Sequence, residues 1–202
     1  MFNLQTIGPL PPGATPIDED DLHDLIPQHV ATLADLNSVE YDNIIAALPW
    51  ARSRALRGTP SLLTVSFALQ LHKRMFCDVW RWAGSQRRRQ TNIGVAPAQI
   101  ATQLKQTLDD AAYWHTNAVF TSDERAARIH HRLVAVHPFA NGNGRWSRLF
   151  ADLSLIATDQ PAFTWGAGHD PQPSDDQRAS YLSALRAADQ DDYAPLVAFV
   201  RS

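Results

Sequence analysis

At 202 residues and 22.5 kDa, with 45% hydrophobic and 19% charged side chains, the chain can bury one full core and has an ordinary globular composition. The formal net charge of −3 gives no whole-molecule case for nucleic-acid binding, and the single cysteine, Cys77, excludes an intrachain disulfide framework and suits a reducing compartment. No apolar run reaches bilayer-spanning length and Met1 to Thr6 carry no basic or apolar leader region, so a cytoplasmic protein without a membrane partner is expected.

In chain order, residues 1–17 are rich in glycine and proline and read as an extended arm. Acidic Asp18 to Asp21 then suit a helix start ahead of Leu22, Leu25 and Ile26. From about Thr32 to Leu48 the residues Leu33, Leu36, Ile44, Ile45 and Leu48 recur at helical spacing. Ser61 is placed to cap a stronger helix bearing Leu62, Val65, Leu69, His72 and Phe76. Between Trp80 and Val95 the helical pattern breaks, and Gly84, Gly94 and the alternation of Thr91, Ile93 and Val95 predict a short hairpin.

Pro97 opens the next helix, with Ile100, Leu104, Leu108 and Ala111 on one side. Thr121 or Ser122 caps another, carrying Ala126, Ile129, Leu133 and Val134 up to His137, where Pro138 ends it. A turn at Gly142 to Gly144 leads into a helix with Leu149, Phe150, Leu153 and Ile156. A loop rich in proline and glycine spans roughly Pro161 to Pro173, and two helices come after it, Ser174 to Ala188 and about Asp191 to Arg201. His130 and His131 are adjacent on a helix and cannot face one ligand, so both are read as structural, as are the six tryptophans.

The chemistry concentrates in His137-Pro138-Phe139-Ala140-Asn141-Gly142-Asn143-Gly144-Arg145-Trp146-Ser147-Arg148. His137 is a base that works near neutral pH. The Gly142-Asn143-Gly144 run can turn backbone N–H groups toward an anion, with a helix N-terminus behind it. Arg145 and Arg148, three apart, lie near one helix face and suit phosphate.

This segment resembles the Fic motif, His-Pro-Phe-x-(Asp/Glu)-Gly-Asn-Gly-Arg-x-x-Arg, and the surrounding chain resembles the Fic-type group called mobile mystery protein B. The resemblance implies an all-α Fic fold, a helical bundle with a short β-hairpin flap. One such domain would fill residues 18–202, with a helical addition over about 18–57 and the core over about 58–202. It implies a protein adenylyltransferase that moves AMP from ATP to a target hydroxyl. His137 would be the base, Gly142, Asn143 and Gly144 the anion nest, and Arg145 and Arg148 the holders of the outer phosphates. Phe139 would anchor the loop, and Asn143 could also orient phosphate oxygens.

Asn141 stands where the family usually carries the carboxylate that binds Mg²⁺. An amide oxygen can coordinate Mg²⁺ without that charge, so three alternatives stay open beside weaker metal dependence: another phosphate-containing donor, a phosphotransferase or other phosphate-ester transferase on the same fold, and a catalytically weak nucleotide-binding or regulatory protein. Trp82 to Arg87 resembles the lead-in to the flap, whose Arg87, Thr91, Asn92, Ile93 and Gly94 would line up a target protein by strand addition. The run Arg87 to Arg89 otherwise reads as a solvated hairpin. Many Fic proteins are restrained by a glutamate in the pattern (Ser/Thr)-x-x-x-Glu-(Gly/Asn), which pairs with the second motif arginine. Glu40 matches that pattern only at the glutamate, with Leu36 and Tyr41 at the flanking positions. An ordinary surface glutamate is the preferred reading and an inhibitory one the alternative. The group is further associated with a helix-turn-helix partner protein and mobile elements.

Overall fold

The computed structural model describes residues 22–166 and 174–202. The expected arm over 1–17 and the acidic helix start at Asp18 to Asp21 lie outside the described residues. Seven α-helices make up most of the described chain: α1 (Leu33–Ala55), α2 (Val65–Phe76), α3 (Ile100–Thr116), α4 (Ser122–Val136), α5 (Asn143–Ile156), α6 (Asp175–Ala188) and α7 (Ala194–Arg201).

Local chemistry explains most helix starts. Thr32 and Asp35 form a reciprocal capping box at α1, Thr121 accepts from the Glu124 N–H at α4, and Ser174 and Gln177 repeat the box at α6. Thr64, not Ser61, caps α2, accepting from the Phe67 N–H. Ser61 instead closes a 3₁₀ turn over Thr59–Ser61 and donates to the carbonyls of Arg54 and Gly58. A second 3₁₀ turn, Pro97–Gln99, precedes α3. The helix expected to fade at Leu48 runs on through Pro49 to Ala55. Proline removes one helical hydrogen bond there. Burial of Ala51 and Ala55, together with Trp50 stacked 5.7 Å from Phe67, offsets that loss.

The antiparallel pair α4–α5 is the centre of the molecule, because each of its helices buries two faces. Ile129, Leu133 and Val136 of α4 and Trp146, Phe150 and Leu153 of α5 join the main core with α1, α2 and α3. Ala126, Ala127, Ala151 and Leu155, on the same two helices, pack instead with Phe163, Trp165, Leu196 and Val200, which seats α6 and α7. A turn between two helices clamped from both sides is a rigid platform. The motif loop is that turn.

The segment 81–96 forms no ladder; the only β pairing among the described residues is an isolated antiparallel bridge between Leu25 and Trp80. Side chains occupy the carbonyls that a hairpin would pair. Arg87 donates to Arg89 O and Val95 O, Gln90 to Thr91 O and Gly94 O, and Thr91 Oγ1 to Ile93 O. The expected flap is therefore a loop wound around Arg87. Among the described residues no helix is long and apolar enough to cross a membrane.

Candidate active site

The motif loop starts with a strained residue. His137 ends α4 in the left-handed region at φ +50°, its N–H bonded to Leu133 O at 3.1 Å. A non-glycine residue costs about 1 kcal/mol in that region, and Arg87 holds it there. The Arg87 N–H donates to Pro138 O at 2.9 Å, Nε to His137 O at 2.7 Å and Nη2 to Val95 O at 2.5 Å. Arg87 is thus buried, 6% exposed, and works as an internal clamp between flap loop and motif loop rather than on a solvated hairpin.

The His137 ring is itself buried, and its Nδ1 lies 3.3 Å from Val134 O. A carbonyl can only accept, so Nδ1 carries the hydrogen and Nε2 the lone pair. Burial depresses its pKa to about 4, with the Val134 bond opposing the shift and the Arg87 charge adding to it. The ring is therefore a neutral base across the physiological range. Gly94 of the flap loop touches its Cβ: a side chain there would start 2.5 Å from His137 Cβ.

Phe139 is fully buried, 3.6 Å from the His72 ring in a stack and edge-on to Trp146 at 5.0 Å. Asn143 closes the loop on it: Oδ1 accepts from Phe139 N–H at 3.0 Å and Nδ2 donates to Phe139 O at 2.8 Å. The Asn143 amide is buried and engaged inside the loop, so it shapes the nest rather than reaching toward phosphate oxygens. Gly142, at φ +78°, is the residue before α5 and supplies no side-chain cap, so the first-turn N–H groups of α5 are offered without one. Gly144 is exposed, and a Cβ on it would meet no atom within 4 Å. Internal packing does not demand glycine at that position, and the approach to the helix end is open there. Asn141 Oδ1 accepts from Gly142 N–H at 2.6 Å.

The two motif arginines diverge. Arg145 Nη2 donates to Glu40 Oε2 at 2.7 Å and its guanidinium lies 5.2 Å from the Phe76 ring. Arg148 lies over Tyr181 at 4.9 Å and Trp165 at 5.6 Å, with Nε buried and without a hydrogen-bond partner. Asp152, one turn on from Arg148, does not form the surface ion pair its spacing allowed. It accepts from Trp165 Nε1 and Phe163 N–H, each at 3.1 Å, and burial raises its pKa to about 7.

Glu40 overturns the surface reading. It is 2% exposed, and Trp80 Nε1 donates to its Oε1 at 2.7 Å while Arg145 holds Oε2. Its partner is the first motif arginine, not the second. His130 and His131 are structural, bonded to Tyr181 and to Tyr193 and Asp189. Two residues beside the site, Trp80 and His72, read from sequence only as core positions.

Against known proteins, residues 62–155 match the Fic/DOC family model. Residues 62–155 form a Fic/DOC domain. The chain is 29% identical over 171 residues to protein adenylyltransferase fic-1 of Caenorhabditis elegans, covering 80% of this chain and 32% of that protein. It is 31% identical over 145 residues to protein adenylyltransferase Fic of Drosophila willistoni, covering 68% of this chain and 27% of that one. Among solved structures, C. elegans Fic-1 superposes with a TM-score of 0.66 at 27% identity, over 90% of this chain and 51% of that chain. The chain therefore spans about a third of the length of these curated relatives. In this Fic domain the motif residues converge on one loop and helix end, with His137 at one side and Arg145 at the other, while Arg148 faces α6.

Proposed function

We propose that this Fic domain is a protein adenylyltransferase, moving AMP from ATP to a hydroxyl side chain of a target protein. The observation that carries this reading is the coupling of a buried neutral base, His137, to the uncapped N-terminus of α5 through one rigid turn. The adenylyltransferase names of the relatives support the same reaction. His137 Nε2 takes the proton of the target hydroxyl, the oxygen bonds to the α-phosphorus of ATP, and the bond to the bridging oxygen breaks to release pyrophosphate. N–H groups at Gly142, Asn143 and Gly144 and the charge of Arg145 stabilise the departing phosphates, and Arg148 would join them on turning away from Tyr181 and Trp165.

A magnesium ion fits only as a passenger of the nucleotide. No group of three or more His, Cys, Asp or Glu able to hold a metal occurs among the described residues, and the protein's own donor is the neutral Asn141 Oδ1. When bound, Mg²⁺ would be held on the protein side by Asn141 and would supply positive charge that offsets the charge of the phosphates. Arg87, Thr91, Asn92, Ile93 and Gly94 lie on the loop beside His137, where a target segment would dock, Arg87 by shaping that loop. The finer placements in this reading are the mobile mystery protein B group, a helix-turn-helix partner, a mobile-element setting and a cytoplasmic location.

A second reading has its own observation. Arg145 is tied to the buried Glu40, which favours a restrained nucleotide-binding protein with little turnover. Intact-mass measurement after incubation with ATP, and separately with other nucleotides, tests both readings. Addition of AMP to a hydroxyl residue, lost in His137→Ala with the fold intact, is the expected result. Labelling that survives His137→Ala refutes the transferase mechanism. Asn141→Asp is expected to make transfer more strongly dependent on Mg²⁺.

A further inference from the structure

We propose that His72 is a positioning residue for the phosphate nest: one ring, in one tautomer, fixes the Asn141–Gly142 peptide so that the Gly142 N–H faces bound phosphate. The inference rests on the nucleotide reading of the motif loop and adds a residue that lies outside the motif.

The ring of His72 is fully buried on α2 and joins two segments remote in sequence. Gly84 N–H, in the lead-in to the flap loop, lies 3.0 Å from Nδ1. A backbone N–H can only donate, so Nδ1 is the bare nitrogen. The hydrogen therefore sits on Nε2, which donates to Asn141 O at 3.0 Å. Both ring nitrogens are used, each on backbone. Stacking at 3.6 Å on Phe139 and a 4.7 Å approach to Phe76 hold the ring plane. Burial lowers its pKa to about 3, the bond to Asn141 opposing the shift and Arg145 adding to it. Protonation would aim a second ring N–H at the Gly84 N–H, so the neutral form is also the one the geometry requires.

Peptide geometry carries this outward to the nest. In a trans peptide the C=O and the next N–H point in opposite directions, and no peptide bond among the described residues is cis. Drawing the Asn141 carbonyl onto the ring turns the Gly142 N–H away from it. An oxygen already occupies that direction: Asn141 Oδ1, 2.6 Å from the Gly142 nitrogen. The asparagine amide stands where a phosphate oxygen would be received. Gly142 also has to lack a side chain, since a Cβ would lie 2.6 Å from Phe76 and 3.3 Å from His72 Nε2. Filling core volume needs none of these hydrogen bonds; orienting the peptide needs the Nε2–H in particular.

Three substitutions in the full chain separate positioning from packing. His72→Gln presents an N–H near the Nε2 position and keeps the donor to Asn141. His72→Asn presents an acceptor near the Nδ1 position and keeps only the Gly84 bond. His72→Phe keeps the stack and neither bond. ATP affinity by calorimetry, and the Gly142 amide resonance during titration with ATP or inorganic pyrophosphate, are the readouts. The wild type and His72→Gln are expected to bind alike and to shift that resonance. His72→Asn and His72→Phe are expected to bind about tenfold more weakly, the loss of one hydrogen bond, and to lose the shift.

A folded His72→Phe or His72→Asn that binds like the wild type overturns the proposal. Absence of any Gly142 response in the wild type overturns the nucleotide-site reading as well, which distinguishes the two failures. Ring nitrogen resonances of the wild-type protein give a test that needs no variant. A bare Nδ1 with protonated Nε2 is expected; the other tautomer overturns it.

Discussion

Replacing Glu40 by glutamine should loosen a restraint on Arg145 without disturbing the core around it. Glutamine keeps an oxygen for Trp80 Nε1 and fills the same volume, but it removes the charge from the 2.7 Å contact with Arg145 Nη2. A hydrogen bond to a charged group contributes about 1.5–3 kcal/mol. The Arg145 side chain is 36% exposed whereas that of Glu40 is 3% exposed, so water already shares the guanidinium and the lower end of that range applies. About 1.4 kcal/mol corresponds to a tenfold change in equilibrium constant. If Arg145 must leave Glu40 to reach phosphate, ATP should bind Glu40→Gln about tenfold more tightly than the wild type.

Fold stability should move much less, within about 1 kcal/mol, because the lost attraction is set against the relief of burying a carboxylate. Isothermal calorimetry with ATP, paired with urea unfolding, measures both. In an Arg145→Ala background the same Glu40 substitution should change ATP affinity by less than about twofold, since the interacting partner is gone. Equal ATP affinity in the wild type and a well-folded Glu40→Gln would refute the restraint. So would a tightening that persists in the Arg145→Ala background.

Acid should unfold the protein through its buried histidines. His72, His130 and His137 have folded pKa values depressed by burial to about 3, 3 and 4, below the unfolded value of 6.5, whereas Asp152 is raised to about 7 from 3.8. Between pH 6.5 and 4, unfolding gains three protons and loses one. From these four groups alone, stability should therefore fall by roughly 3 kcal/mol per pH unit as pH drops, read from urea midpoints across that window. Gly94→Ala, at φ +109°, places a methyl 2.5 Å from His137 Cβ and 2.7 Å from Arg87 Nη2. It should cut transfer about 100-fold through displacement of the base while leaving far-UV circular dichroism unchanged. Asn143→Ala orphans the buried N–H and C=O of Phe139 and should cost about 2–5 kcal/mol of unfolding free energy in urea.

Legibility from sequence tracks the range of the interaction. Helices with their own stop and start signals are readable: α4 from Thr121 to the proline after His137, and α5 from its glycine turn. The motif loop is readable because its parts are contiguous. Ser61 and Thr64 are both competent caps, and only the 3₁₀ turn at Thr59 decides between them. The hairpin expected between Trp80 and Val95 fails for a longer-range reason. Alternation reports which side chains face inward, not which groups bond the carbonyls, and Arg87 takes them while anchoring itself to His137 O, 50 residues away.

Glu40 escapes a local reading for the same reason, although a signal is present. It falls four residues after Leu36 and seven before Ala47, on the stripe of α1 that is buried throughout. A carboxylate on an apolar stripe is costly unless charge and donors meet it. The sequence therefore contains a demand for partners before it reveals them. An arginine and an indole N–H answer it here, separated from Glu40 by 105 and 40 residues. His72 makes the parallel case on α2: a buried histidine with two polar nitrogens needs two partners, and they lie in the lead-in to the flap loop and in the motif loop. Polar residues on otherwise apolar helix faces are thus the positions where this sequence, read for unmet hydrogen-bonding need, points past its own motif to the groups that hold it.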